Sequence, residues 1–238
     1  MNTRRRVGDA VRERLTFDSP LHEPRVAAVL GIALGMAFTI CFVTGVVSHL
    51  VQDPGGWFHW PSRPAGLYRF TQGLHVATGI ASIPLLLAKL WVVYPKLFSW
   101  PPVESVAHAI ERMMLVPLIG GGLLLVFTGL GNINLYRPWD FSFRSGHYAA
   151  AWVAMGALVV HVAAKWVTTR SSFARAPARL EPEPESRVEH PPDGLDRRSF
   201  LTTVFATSAL LTLVTVGQTF APLRRLALLA PRRPDVGP

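Results

Sequence analysis

The chain alternates between long stretches without charge and short stretches that carry it. Five stretches of 19 to 27 residues contain no Asp, Glu, Lys or Arg: Val26–Gln52, Phe70–Ala88, Met113–Tyr136, Ser145–Ala164 and Ser199–Leu223. An α-helix rises about 1.5 Å per residue, so about 20 apolar residues cross a bilayer core about 30 Å thick. The pattern therefore predicts an all-α integral membrane protein, with a four-helix bundle followed by a fifth transmembrane helix.

Composition and charge support this prediction and add an orientation. Charged residues make up 16% of the chain, against about 25% in an average soluble domain, which excludes a soluble globular enzyme. Of the 24 Lys and Arg residues, 16 precede the first stretch or lie between the second and third or the fourth and fifth. The positive-inside rule then predicts a cytoplasmic N-terminus and an extracytoplasmic C-terminus in the cytoplasmic membrane. Because topology explains the net charge of +9, we expect no nucleic-acid partner.

The same pattern divides the chain into five parts. These are a basic cytoplasmic N-terminus (1–25), the four-helix membrane domain (26–170), a disordered cytoplasmic linker (171–198), the fifth helix (199–223) and an extracytoplasmic tail (224–238). The linker is acidic and rich in proline, and has too little apolar content to fold. Tyrosine and tryptophan at the ends of the spans are typical of interfacial belts: Trp57, Trp60, Tyr68, Tyr136, Trp139 and Tyr148 outside, and Trp91, Tyr94, Trp100 and Trp166 inside.

Histidines within the apolar stretches are the candidate chemistry, because ionisable groups at bilayer depth are costly and indicate function. His147 and His161 are 14 residues apart on the fourth helix, hence on one face and about 21 Å apart along the axis. His75 on the second helix lies at a depth similar to that of His147. The arrangement favours haems held between imidazoles of facing helices, with His75, His147 and His161 as iron ligands. Hydrogen bonding between helices is the structural alternative.

Other residues refine the prediction. His49, at the outer end of the first helix, is an alternative outer ligand. Gly79, one turn after His75, and Ala151, one turn after His147, leave room for a macrocycle, although small residues also permit close helix packing. The single Cys41 excludes a C-x-x-C-H attachment motif, so any haem is of type b.

The run His75-Val-Ala-Thr-Gly-Ile-Ala-Ser-Ile-Pro-Leu-Leu-Leu, with His147 and His161, resembles the bacterial cytochrome b561 group of four-helix dihaem membrane proteins. The resemblance covers roughly residues 20–170. It implies that His75 and His147 hold an outer haem. It also implies that His161 holds an inner haem, together with a histidine near the cytoplasmic start of the first helix.

The sequence departs from that family at the last position. The expected ligand falls near Ala27 or Ala28, neither of which binds iron. His22 and His108 are the substitutes to consider for the inner haem. Lys89 lies on the same helix face as His75 at the inner end, and we expect it to extend to the headgroups or to contact a haem propionate.

The segment Asp196-Arg197-Arg198-Ser199-Phe200-Leu201 resembles a twin-arginine export signal, and a simple topology signal is the alternative. The order of cytochrome b spans, acidic linker, R-R-x-F-L and weak span resembles the membrane part of actinobacterial molybdopterin-dependent oxidoreductases. There, a sulfite-oxidase-like domain follows outside the membrane. Only 15 residues follow Leu223 here, so the resemblance implies a membrane electron conduit for an extracytoplasmic redox partner.

The main functional hypothesis is therefore a membrane cytochrome b subunit with one haem b and a second in question. We expect it to pass electrons between quinone and an extracytoplasmic, molybdopterin-type oxidoreductase, as an electron-transfer component rather than a complete enzyme. Two alternatives stay open. One is a haemless membrane anchor or assembly subunit, and the other is a self-contained quinone oxidoreductase of the b561 type.

Overall fold

The structure is a computed structural model that describes residues 20–57, 59–97, 106–136, 138–174, 196–216 and 225–230. Within these ranges the regular structure is helical, and no residue lies in a β-strand. The N-terminal 19 residues, most of the predicted linker and most of the predicted tail lie outside the description. So does Trp100, one of the predicted interfacial residues.

The described residues form five long helices: α1 (Pro24–Gln52), α2 (Leu67–Leu97), α3 (Val106–Ile133), α4 (Phe143–Ala174) and α5 (Arg197–Val216). A single 3-10 turn, Pro20–His22, precedes α1. All five helices are long and apolar enough to cross a membrane. The prediction of an all-α chain with five membrane-spanning helices is confirmed.

Most of the helices extend beyond the stretches that lack charge. Helix α2 continues past Ala88 to Leu97, and α4 continues to Ala174, four residues into the predicted linker. Helix α5 begins two residues early, at Arg197, and is described as far as Val216. A helix can run on past the bilayer surface, where charge is tolerated. The absence of charge therefore indicates which residues lie within the membrane. It is a poorer indicator of where the helices end.

Asp196 caps the start of α5, since its carboxylate accepts hydrogen bonds from the backbone N–H groups of Arg198 (3.3 Å) and Ser199 (3.2 Å). Aspartate is among the preferred residues at this position because it satisfies N–H groups that have no partner within the helix. Hydrogen bonds from Ser199 lower the pKa of the Asp196 carboxyl.

Helices α1 and α2 pack along each other, as do α3 and α4, and α1 joins the two pairs through α4. Helix α5 packs against α2. Contacts such as Lys89 with Ala27 and His49 with Tyr148 show that neighbouring helices in the first four are antiparallel. We call the end that holds Pro24 and Arg197 the inner end and the opposite one the outer end, following the predicted orientation.

A cluster of buried apolar side chains lies in the inner half, between α1, α2 and α5. It consists of Val26, Leu30, Leu85, Val92 and Val204. Many large apolar side chains elsewhere on the helices are exposed, as a lipid-facing surface requires. The chain is therefore a multi-pass helical membrane protein, and its outer half differs in having an open interior.

Candidate functional site

His75 and His147 face each other in the outer half, from α2 and α4. Their ring centroids are 6.1 Å apart and their planes are inclined at 67°. An imidazole nitrogen binds a transition metal at about 2 Å, so two imidazoles on opposite sides of one ion have centroids about 6 Å apart. The structure brings together the two residues that the sequence predicts as a pair, at the separation that one metal ion between them requires.

Helix α1 fixes the ring of His75 from behind. Its Nδ1 lies 2.8 Å from the Cys41 carbonyl oxygen and 3.2 Å from the Thr44 hydroxyl oxygen. A carbonyl oxygen only accepts hydrogen bonds, so Nδ1 carries the proton and donates it. Nε2 of His75 is then left with the lone pair that a metal needs.

Helix α3 fixes the ring of His147 in the same manner. Its Nδ1 lies 2.9 Å from the hydroxyl oxygen of Thr128, a residue with no exposed surface. The Thr128 hydroxyl itself donates to the Leu124 carbonyl oxygen at 2.7 Å, so its oxygen accepts from Nδ1 of His147. Nδ1 of each histidine therefore contacts the hydroxyl of a threonine on an adjacent helix. Such second contacts orient ligating histidines and set their tautomer.

A glycine follows each of these threonines and lets the neighbouring helix approach the ring. A Cβ atom added to Gly45 would lie 3.0 Å from Cε1 of His75, and one added to Gly129 would lie 3.5 Å from Cε1 of His147. The first distance is tighter than ordinary contact. Helix α1 can therefore hold His75 at this distance only with glycine at position 45.

Both rings line a cavity of about 390 Å³ in the outer half of the bundle, within the range typical of small-molecule and cofactor sites. Phe38 and Leu158 belong to its apolar walls. Polar side chains line its outer end, where Ser48 donates to Gln72 at 2.7 Å. Arg144 also lines it there and donates to Gln52 at 3.3 Å. The cavity therefore has apolar walls in its interior and polar side chains at its mouth.

His49 lines the same cavity but is not part of the facing pair. Its ring stacks on Tyr148, with centroids 3.8 Å apart and planes inclined at 13°. Tyr148 follows His147 directly, so the stack packs beside the pair. Its role as an alternative outer ligand stays a prediction.

His161 lies in the inner half and is not among the residues that line the cavity. Its Nδ1 atom is buried and has no hydrogen-bond partner within the part of the chain that the structure describes. Lys89, Lys165 and Glu111 act on the ring electrostatically, and Glu111 and Lys165 form an ion pair. No imidazole of the described residues is paired with His161 as His147 is with His75. Its role as an inner ligand stays a prediction.

The residues proposed to surround an inner haem have other contacts. Nδ1 of His22 lies 2.9 Å from the Val92 carbonyl oxygen. The ammonium group of Lys89 donates to the Ala27 carbonyl oxygen at 2.6 Å. Lys89 was expected to reach the headgroups or a haem propionate. Instead, it is directed into α1, because the first turn of that helix offers a carbonyl within its reach.

Sequence reasoning missed the threonine, glycine and carbonyl contacts behind the two rings. One signal was present, since a Thr-Gly dipeptide occurs in three of the helices, at 44–45, 78–79 and 128–129. Thr78 also contacts Cys41, with Sγ and Oγ1 3.0 Å apart. A threonine within an apolar helix directs a hydroxyl at a backbone or side-chain partner, and the glycine beside it allows close approach.

Among the described residues, no group of three or more His, Cys, Asp or Glu side chains is placed to hold a metal ion. The fold and the site together define a multi-pass helical membrane protein with a facing histidine pair in its outer half. In comparisons with protein-family models, curated proteins and solved structures, nothing matches this chain.

Proposed function

We propose that this protein is a membrane cytochrome b that binds haem b between His75 and His147. The observation that carries the proposal is the facing pair of imidazoles 6.1 Å apart, each anchored through Nδ1 to a neighbouring helix. Two imidazoles are a complete set of axial ligands for haem iron, whereas zinc takes three or four protein ligands. The donor set therefore fits haem better than a bare metal ion.

The protein residues around the site would hold and tune the group. The Cys41 carbonyl and the Thr128 hydroxyl would keep the two rings in the tautomer with a free Nε2. The apolar walls exclude water, and Arg144 at the polar mouth offers a cation to carboxylate groups. A haem with two histidine ligands supplies one-electron exchange and has no open position for substrate.

The wider role follows from the resemblance and the charge pattern. We infer that the chain lies in the cytoplasmic membrane with its N-terminus in the cytoplasm, and exchanges electrons between quinone and an extracytoplasmic redox partner. A molybdopterin-type oxidoreductase is the partner that the resemblance implies. The outer position of the histidine pair suits this role, because the ligands lie at the end of the bundle that such a partner would approach.

The haem content of the purified full chain tests the proposal. We expect a reduced-minus-oxidised spectrum of b type from haem-replete cells. Replacing His75 or His147 with Ala is expected to lower haem per chain at least about tenfold, since a lost axial ligand removes a metal bond. His59→Ala is the matched control, because His59 is exposed in the outer loop, and it should retain full haem content.

A haem-free wild-type preparation that elutes as a folded species would refute this proposal in favour of the anchor subunit. Reconstitution in liposomes separates the other alternative. A subunit needs its partner for turnover with quinol, whereas a self-contained oxidoreductase would oxidise quinol with a small outer acceptor alone.

A further inference from the structure

A second recess lies at the inner end, between the first turns of α1 and α5. Its volume is about 710 Å³. Three arginines border it, Arg25 from α1 and Arg197 and Arg198 from α5, and Val29, Leu201 and Phe205 contribute apolar walls. We call this recess the α1–α5 groove. It is distant from the histidine cavity and shares no lining residue with it.

The charge of the groove is only partly neutralised. Arg197 pairs with Glu23, with Nη1 and Oε2 2.5 Å apart. Arg25 and Arg198 have no acidic partner among the residues that the structure describes. Among the described residues, the mouth of the groove therefore keeps an excess of positive charge at the level where α1 and α5 enter the membrane.

The apolar part of the groove runs away from that charge along one face of α5. Positions 198, 201, 202, 205 and 206 all line it, and their spacing of three and four residues is that of a single helix face. From Arg198 to Ala206 the groove extends about 12 Å along the helix axis. Phe205 keeps 41% of its surface exposed there, so the wall is open to an acyl chain.

We propose that the α1–α5 groove binds an anionic phospholipid of the surrounding leaflet. The phosphate would lie between Arg25 and Arg198, since guanidinium groups bind phosphate through paired hydrogen bonds. One acyl chain would lie along Val29, Leu201 and Phe205. A cation at headgroup level joined to an apolar channel of this length complements a lipid better than a free anion or a peptide. The site is independent of the haem proposal.

Lipid association can be measured with the full chain reconstituted in phosphatidylcholine that contains trace spin-labelled lipid. We expect labelled phosphatidylglycerol to associate more strongly than labelled phosphatidylcholine, with a gain of about fivefold per arginine. The R25Q/R198Q variant should bring the ratio close to one. R170Q removes an exposed arginine at the same end, outside the groove, and should leave the ratio unchanged.

Two further arms separate the lipid from other ligands and from loss of fold. A206F fills the groove while keeping every arginine, and should also lower the phosphatidylglycerol preference. Glycerol 3-phosphate should not compete at millimolar concentration, since it lacks the acyl chain. Equal association of the two lipids with the wild type would overturn the proposal, as would competition by glycerol 3-phosphate or an unchanged ratio in R25Q/R198Q. The haem spectrum of each variant reports that the bundle is folded if the protein binds haem, and circular dichroism reports it otherwise.

Discussion

The outer and inner halves of the bundle hold their histidines in different ways. In the outer half, His75 and His147 face each other, and Nδ1 of each is hydrogen-bonded to a neighbouring helix. In the inner half, Nδ1 of His161 is buried without a partner among the described residues. The nearby cation of Lys89 is directed away, to the Ala27 carbonyl.

The interior of the two halves differs as well. The outer half encloses a cavity of about 390 Å³, whereas the inner half is packed with an apolar core that includes Leu30, Leu85 and Val92. A spacing of 14 residues places two histidines on one helix face, but it does not give both the same surroundings. A ligand site also needs a facing partner, a contact behind the ring and open space, and among the described residues only the outer half has all three.

The largest effect expected from this difference is on haem stoichiometry. We predict about one haem per chain in the wild type, unchanged in His161→Ala and almost absent in His147→Ala. The physical reason is that His147 has a facing imidazole, and His161 has none among the described residues. Haem per chain, determined by absorbance of the extracted pigment against amino-acid analysis, provides the measurement.

Two haems per chain in the wild type, falling to one in His161→Ala, would contradict the prediction. The inner half would then hold a haem with a ligand that lies among the undescribed residues or comes from a rearranged His22 or His108. Both variants keep the apolar faces of α4, so the thermal unfolding of the haem-free protein serves as the control for folding.

The sequence is sufficient to predict the helices because a membrane helix depends on the length and composition of one continuous stretch of the chain. A stretch such as Val26–Gln52, which lacks charge throughout, has few structures other than a membrane helix. The pairing of His75 with His147 was also predictable, since the order of antiparallel helices places both near the same end. The fold could thus be predicted from the length of the uncharged stretches and from their alternation with charged stretches.

The contacts behind the rings were not predictable in the same way. They depend on how closely α1 packs against α2 and α3 against α4. These distances follow from packing at Gly45 and Gly129. The direction of Lys89 depends likewise on a carbonyl that no sequence pattern marks. Helix-to-helix distance is a three-dimensional property, and a single sequence holds only indirect traces of it, such as the repeated Thr-Gly dipeptide.

The next effect in size concerns the threonines behind the rings. Replacing Thr128 with Val keeps the shape of the side chain and removes the hydroxyl that contacts His147. Loss of such a second contact lowers metal affinity about 10- to 100-fold, and we expect haem affinity to fall within this range. Thr44→Val should act similarly on His75. Haem titration and the midpoint potential provide the readouts.

Thr39→Val is the matched control for these variants. Thr39 lies on α1 and is exposed, and its hydroxyl donates only to the Gly35 carbonyl of its own helix. It should change neither haem affinity nor potential. Equal effects at positions 39 and 44 would show that the hydroxyls act on the helix and not on the ring.

The smallest expected effect on haem affinity comes from adding a single methyl group to α1. It is also the most sensitive test of the difference between the two halves. Gly45→Ala would place a Cβ 3.0 Å from the ring of His75, and Gly31→Ala would place one 3.2 Å from Nζ of Lys89. Nδ1 of the ring is held by the Cys41 carbonyl, and Nε2 would be held by iron in the proposed site. Relief therefore requires the helices to shift at a cost of about 1 kcal/mol, which corresponds to about fivefold in haem affinity. The ammonium ends a flexible chain and can move at little cost, so Gly31→Ala should leave haem affinity unchanged. An equal loss of haem affinity in both variants would mean that α1 shifts as a rigid unit. The local contacts of His75 would then not determine haem affinity.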